Sequence, residues 1–161
     1  MVEGGGNQLA FRGTRGVDYI GVGVGAVILN ERCEVLLLFR KKQPEAGHWT
    51  IPGGAVEWFE TCADAIRREC REEVGLDVDI DRLLTVVDHI VKDDGAHWVS
   101  IEYLVTVTSG EATNANKEEN EEVRWFRLDA LPDPMTQPTR EALRYYQRTS
   151  GSGRDCKFNG S

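Results

Sequence analysis

The hydrophobic and polar positions change period several times along the chain. In "DYIGVGVGAVIL" (18–29), glycines at 21, 23 and 25 alternate with Val22 and Val24. This predicts a strand with one face open to very close packing. "NERCE" (30–34) reads as a polar turn and "VLLLFRK" (35–41) as a second strand, so the two are expected to pair as a hairpin. A loop follows over 42–49, and "TIPGG" (50–54) makes a tight turn punctuated by Pro and Gly. The spacing then becomes helical. Thr61 is placed to cap the N-terminus, with Asp64 three positions on as a variant capping box, and Gly75 fits the stop after Val74. The β-branched residues of 76–91 read as strand, "DDG" (93–95) as a turn, and the alternating "HWVSIEYLVTVT" (97–108) as another strand. A polar loop (109–122), a strand (123–128), a break (129–134) and a helix (137–148) with Pro138 in its first turn complete the pattern. No internal repeat is present. The order of strands, helix, strands, helix predicts an α/β fold, a mixed sheet with helices covering its faces.

Composition narrows the class. The 161 residues suffice for one domain with a substantial core. No run of about 18 apolar residues is present to span a membrane, and the first residues lack the apolar centre of a signal peptide. Residues 1–17 are expected to be a flexible leader, 18–148 the domain, and the Gly/Ser-rich 149–161 a disordered tail. The formal charge of −8 disfavours long nucleic acid as a partner. It leaves room for small anions that a metal ion bridges to acidic groups. Cys33, Cys62, Cys70 and Cys156 form no C-x-x-C. Cys62 and Cys70, about 12 Å apart along one helix, are too far apart to bridge. Reduced thiols in a cytoplasmic protein are expected.

The helix over 61–74 poses a question of charge. A rotation of about 100° per residue sets Ala63, Ile66, Cys70 and Val74 on one stripe, the face expected to pack on the sheet. Glu69, Glu72 and Glu73 share the neighbouring sector, while Arg67 and Arg71 fall on the opposite flank. Exposed like charges at i,i+4 cost only about 0.2–0.5 kcal/mol. Beside a packed face, two carboxylates about 4 Å apart repel by about 4 kcal/mol before screening. A hard divalent cation would relieve that repulsion. A solvated helix face accounts for the stretch equally well when it is read alone.

The flanks tip the balance. Residues 54–76, "GAVEWFETCADAIRRECREEVGL", resemble the Nudix box of the Nudix (MutT-like) hydrolases, G-x5-E-x7-R-E-U-x-E-E-x-G-U with U aliphatic. Gly54, Glu60, Arg68, Glu69, Glu72, Glu73 and Gly75 occupy its fixed positions, Leu76 fills the last U, and Cys70 stands at the first U. The resemblance extends more loosely over 18–148, through "GHWTIPGG" and "EEVRWFRLDALP". It implies a Nudix-type α/β/α sandwich with a central mixed β-sheet. It also implies hydrolysis of a nucleoside diphosphate linked to a moiety X, by water and with Mg2+ (or Mn2+) as cofactor. By the same resemblance Glu69, Glu72 and Glu73 hold the metal, with the Gly53 carbonyl as a further ligand. Glu73 is the favoured general base and Glu69 its rival. Glu60 and Arg68 pair to fix the loop on the helix, Arg68 orienting Glu69, and Gly54 and Gly75 are structural. Glu119, six positions before Trp125, is expected as an additional ligand or base.

The identity of X is written more faintly. Some relatives carry a proline about 16 residues after the box and others a tyrosine, and the resemblance connects these with ADP-ribose and dinucleoside polyphosphates. Here Val91, Lys92, Asp93 and Asp94 stand there. The resemblance then favours a nucleoside triphosphate, deoxy or modified, cleaved to monophosphate and pyrophosphate. A pyrophosphatase of ADP-ribose or of sugar nucleotides, and a nucleotide-binding sensor without turnover, are the alternatives. Trp49 and Trp98 are candidates to stack on a base, and His48 and Arg40 to contact sugar or phosphate, each against an ordinary packing or surface role. The expected partner is a small nucleotide, with no membrane and with homodimerisation open.

Overall fold

A computed structural model describes residues 13–150. Among these residues seven strands and two α-helices follow in order: β1 (Gly21–Ile28), β2 (Glu34–Arg40), β3 (Trp49–Thr50), β4 (Gly53–Ala55), α1 (Cys62–Val74), β5 (Leu76–Val91), β6 (Ala96–Gly110), β7 (Asn120–Arg127) and α2 (Gln137–Thr149), with a 3-10 turn (Lys92–Asp94) between β5 and β6. Among the described residues no helix is long and apolar enough to cross a membrane.

The strands form two sheets. One has the order β4-β1-β6-β5 and is mixed, because β1 runs parallel to β6 while the other pairs are antiparallel. The other is antiparallel, in the order β3-β2-β7. The expected hairpin of the first two strands is therefore not formed. Both hydrogen-bonding edges of β1 are taken, by β4 and β6, and those of β2 by β3 and β7. The turn between them carries the chain from one sheet to the other, leaving a single antiparallel bridge, Leu29 to Val35.

Alternate residues of these central strands supply two cores. Val24, Ala26 and Ile28 of β1 and Leu36 and Leu38 of β2 pack with Ile66, Cys70 and Val74 of α1. Val27, Val35 and Leu37 pack with Ala142, Leu143 and Tyr146 of α2. The helices thus cover opposite faces and the molecule is an α/β/α sandwich. A run such as Val35–Leu36–Leu37–Leu38 is buried on both sides, as its lack of polar alternation requires.

The helix carrying the acidic motif begins and ends as its sequence predicts. Thr61 Oγ1 accepts the Asp64 N–H at 3.1 Å, and Gly75 closes the helix in the left-handed region at φ 71°. The buried face comprises Ala65, Ile66, Cys70, Glu73 and Val74; Ala63 is only half-buried, and Ala65 takes the place expected for it. Cys62 and Cys70 are free thiols, but Cys33 is disulfide-bonded, against the expectation of a fully reduced chain.

Of the expected leader, residues 1–12 lie outside the described residues, as do residues 151–161 of the expected tail. Residues 14–19 are tied to the domain. Arg15 Nη1 donates to the Val56 carbonyl at 2.9 Å, and the Gly16 carbonyl accepts from the His97 N–H at 2.7 Å.

Candidate active site

The loop from β4 into α1 is held by one guanidinium. Arg68 donates to Glu60 through Nε at 2.8 Å and Nη2 at 2.9 Å, to the Ala55 carbonyl at 3.0 Å, and to Glu69 Oε1 at 2.6 Å. A weaker bond of 3.3 Å reaches Glu72. The hydrogen bonds from Arg68 hold the Glu60 carboxyl down at about 2, and Glu60 in turn raises the Arg68 guanidinium above its ordinary value. Gly54 belongs to the same arrangement, since a Cβ there would collide with the Glu69 carboxylate.

The three helix glutamates stand in different surroundings. Glu73 is 7% exposed; its Oε2 accepts the Gly53 N–H at 2.9 Å, and its Oε1 has a longer bond of 3.5 Å from the Asn120 amide. Burial pushes its carboxyl up to about 8, Gly53 pulls it back, and the Glu69 charge adds to the rise. Glu69 is also raised by burial, partly offset by Arg68. Glu72 points outward with its side chain 58% exposed.

Glu73 opens into a cleft of about 260 Å³ between the two sheets. Gly53, Gly54 and Glu73 form one part of its lining, and Arg40, Lys42 and Glu119 another. Lys42 Nζ lies 3.0 Å from Glu119 Oε1. Burial holds the Arg40 guanidinium below its ordinary value, while Glu73, Glu45 and Glu119 favour its charged form. A third part carries Trp98, Ser100 and Glu102 of β6 beside Gly23 and Gly25 of β1.

Of the residues expected from sequence, Gly53, Gly54, Glu73, Glu119, Arg40 and Trp98 come together here. Arg68, Glu69, Glu72 and Glu60 lie behind the lining, on the clamp, and Gly75 lies at the far end of α1. Trp49 does not reach the cleft. It is 8% exposed, with ring centroids 5.1 Å from Phe39 and 4.7 Å from Phe126, because its position in the short β3 turns it into the α2-side core. His48 also lies outside the lining, its Nδ1 3.3 Å from the Ala46 carbonyl. Sequence reasoning missed Asn120, Ser100, Glu102 and the pair of His89 Nε2 with Glu45 Oε2 at 2.8 Å. For Glu102 the alternation gave no signal, because it shares the polar parity of the strand with Ser100, Thr106 and Thr108.

Among the described residues no cluster of three acidic, His or Cys side chains already stands in ligating positions. The donors nevertheless suit a hard divalent cation. They are all oxygen, and the charge of the half-buried Glu69 raises the pKa of the buried Glu73. Glu69, Glu72, Glu73 and the Gly53 carbonyl are the groups that would hold Mg2+ or Mn2+.

Comparison with known proteins agrees with this architecture. A family model, the NUDIX domain, matches residues 20–146. The chain is 34% identical over 112 residues to the zebrafish (Danio rerio) 8-oxo-dGDP phosphatase NUDT18, covering 68% of this chain and 33% of that protein. It is 34% identical over 105 residues to the ADP-ribose pyrophosphatase of Methanocaldococcus jannaschii, covering 65% of this chain and 61% of that protein. The chain thus spans about a third of the first relative and less than two thirds of the second. The crystal structure of a MutT NUDIX hydrolase from Burkholderia pseudomallei superposes with a TM-score of 0.72 at 43% identity, covering 79% of this chain and 98% of that one. The chain belongs to the Nudix hydrolase family.

Proposed function

We propose that the cleft hydrolyses a nucleoside triphosphate, deoxy or modified, to the nucleoside monophosphate and pyrophosphate, with Mg2+ or Mn2+ as cofactor. The observation that carries this reading is the buried Glu73 carboxyl facing the same cleft as the cationic Arg40 and Lys42. When bound, the divalent ion would neutralise the polyphosphate and lower the pKa of the attacking water. Glu73 takes the proton from that water. The Gly53 N–H engages Oε2, which leaves Oε1, with its longer bond to Asn120, as the freer oxygen. Arg68 fixes Glu69, and Arg40 and Lys42 offer positive charge to phosphoryl oxygens. Glu119, ion-paired to Lys42, stands ready as a further ligand or base.

The likeness to the archaeal ADP-ribose pyrophosphatase favours a second reading, ADP-ribose cleaved to AMP and ribose phosphate. A panel of nucleoside triphosphates, 8-oxo-dGDP, ADP-ribose and sugar nucleotides with Mg2+ or Mn2+, read as kcat/KM with product analysis, separates the two. Pyrophosphate release from triphosphates is expected. Turnover confined to ADP-ribose replaces the first reading with the second.

A further inference from the structure

Three glycines of β1 lie beside three side chains of β6. The register pairs Gly21 with Trp98, Gly23 with Ser100 and Gly25 with Glu102. The missing side chains form a furrow into which the β6 residues lean. A Cβ on Gly21 would collide with the Trp98 ring, and one on Gly25 with Glu102 Oε2. The result is a row of one aromatic face, one hydroxyl and one carboxyl, all lining the cleft.

Glu102 is the anomaly in that row. It is 0% exposed, on a strand whose Leu104, Val105 and Val107 are buried apolar residues. Ser100 Oγ donates to Oε1. Oε2 is buried and has no hydrogen-bond partner among the described residues. A buried polar oxygen without a partner costs free energy, and an apolar residue of similar volume would avoid that cost. The pairing with a glycine shows that the fold makes room for this carboxyl.

Its place suits a group remote from the reacting phosphorus. Gly25 pairs on one side with Gly53, whose N–H holds Glu73, and on the other with Glu102. The Glu102 backbone therefore stands two strand spacings, about 10 Å, from the backbone that positions Glu73, while its Oε2 reaches back over Gly25, about one spacing from Gly53. Oε2 thus lines the same cleft as Glu73 on the far side of Gly25, where the edge of a base can reach it while the phosphates lie at Glu73.

We propose that Glu102 determines base specificity, its Oε2 accepting a hydrogen bond from an exocyclic amino group of a nucleobase whose ring lies against Trp98. This rests on the nucleotide reading of the cleft and names the part of the nucleotide that is read. Adenine, guanine and cytosine carry the required amino group; uracil does not. Ser100 keeps Oε1 occupied, so that Oε2 is the oxygen offered.

The test compares wild type with Glu102→Leu and Glu102→Gln on ATP, GTP, CTP and UTP with Mg2+. Wild type is expected to prefer one or more amino-bearing triphosphates over UTP. Glu102→Leu is expected to lower kcat/KM for the preferred one by roughly 10–100-fold, chiefly through KM, and UTP by less than about threefold. Glu102→Gln, nearly isosteric, is expected to narrow the same preference severalfold, and it carries the test if the leucine variant does not fold. An equal fall on all four substrates, or an unchanged ratio, overturns the proposal. So does a loss that follows ribose against deoxyribose whatever the base. Calorimetry with the α,β-methylene analogues of the same nucleotides reads the subsite without turnover. If no triphosphate is cleaved, the triphosphate reading fails alone, and the analogues still decide. Base-selective binding lost in the variants supports the proposal, and binding indifferent to the base overturns it.

Discussion

Glu73 sits where two demands on a carboxyl conflict. Chemistry wants it ionised, while its burial keeps its pKa near 8 in the absence of metal. Its folded pKa is raised above the ordinary 4.5. Its stabilising effect is therefore fully present below about 4.5 and is lost as pH rises through about 8. In chelator, wild type should lose melting temperature across that window while Glu73→Gln loses less, so that the variant gains relative to wild type at pH 9. The same variant should lower kcat by roughly 10²–10⁴-fold, the range for a general base, with an unchanged far-UV spectrum. Near-wild-type turnover would remove Glu73 from the proton transfer. At this scale the sequence was informative wherever spacing implied geometry. The clamp of Glu60, Arg68 and Glu69 formed from residues the motif named. Trp49 was misjudged because aromatic character alone does not say whether a ring faces a cleft or the core, and here Phe39 and Phe126 enclose it. Glu102 was overlooked because its meaning comes from a glycine 77 positions away that only strand register brings alongside.

At the scale of elements, α1 depends on its N-terminal junction. Glu60 immediately precedes the cap, and its carboxyl is depressed from 4.5 to about 2 by Arg68. Its contribution to stability is fully present above about 4.5 and is lost as pH falls through about 2. Thermal melts of Glu60→Gln and wild type should therefore differ most near neutrality and converge as pH drops through that window; a gap that is flat with pH would mean that the charge pair does not secure the junction. Thr61→Ala, which removes the cap bond to the Asp64 N–H, should cost about 1 kcal/mol by denaturant titration. Both helices and the long strands were legible because each had a sustained period and a recognisable stop, such as Gly75 and Gly95 in the left-handed region. The hairpin expectation failed for a reason that local pattern does not encode. Nearness along the chain favours pairing, but β4 and β6, distant in sequence, had already filled both edges of β1.

For the whole molecule, the cleft between two sheets makes ligand binding a linkage between them. Loops and strand ends of both sheets contribute lining, Arg40 and Asn120 from one, Gly25 and Glu102 from the other. A ligand that touches both should stabilise the entire fold. Mg2+ with a non-hydrolysable nucleotide at about 100 Kd adds about 2.7 kcal/mol. For a domain of this size that should raise Tm by roughly 5–10 °C in differential scanning calorimetry. Separate melting of two parts, or a shift confined to one, would contradict a single cooperative unit.

The family match begins at residue 20, yet residues before it already bind the domain. Arg15 tethers itself to Val56, the Gly16 carbonyl holds the start of β6, and Gly16 lies so close to the Trp98 indole that a Cβ would collide with it. An enzyme trimmed to its family boundaries would keep every glutamate of the motif. It would lose the brace behind the tryptophan and, on the proposed reading of Trp98 as the base platform, much of its discrimination among nucleotides.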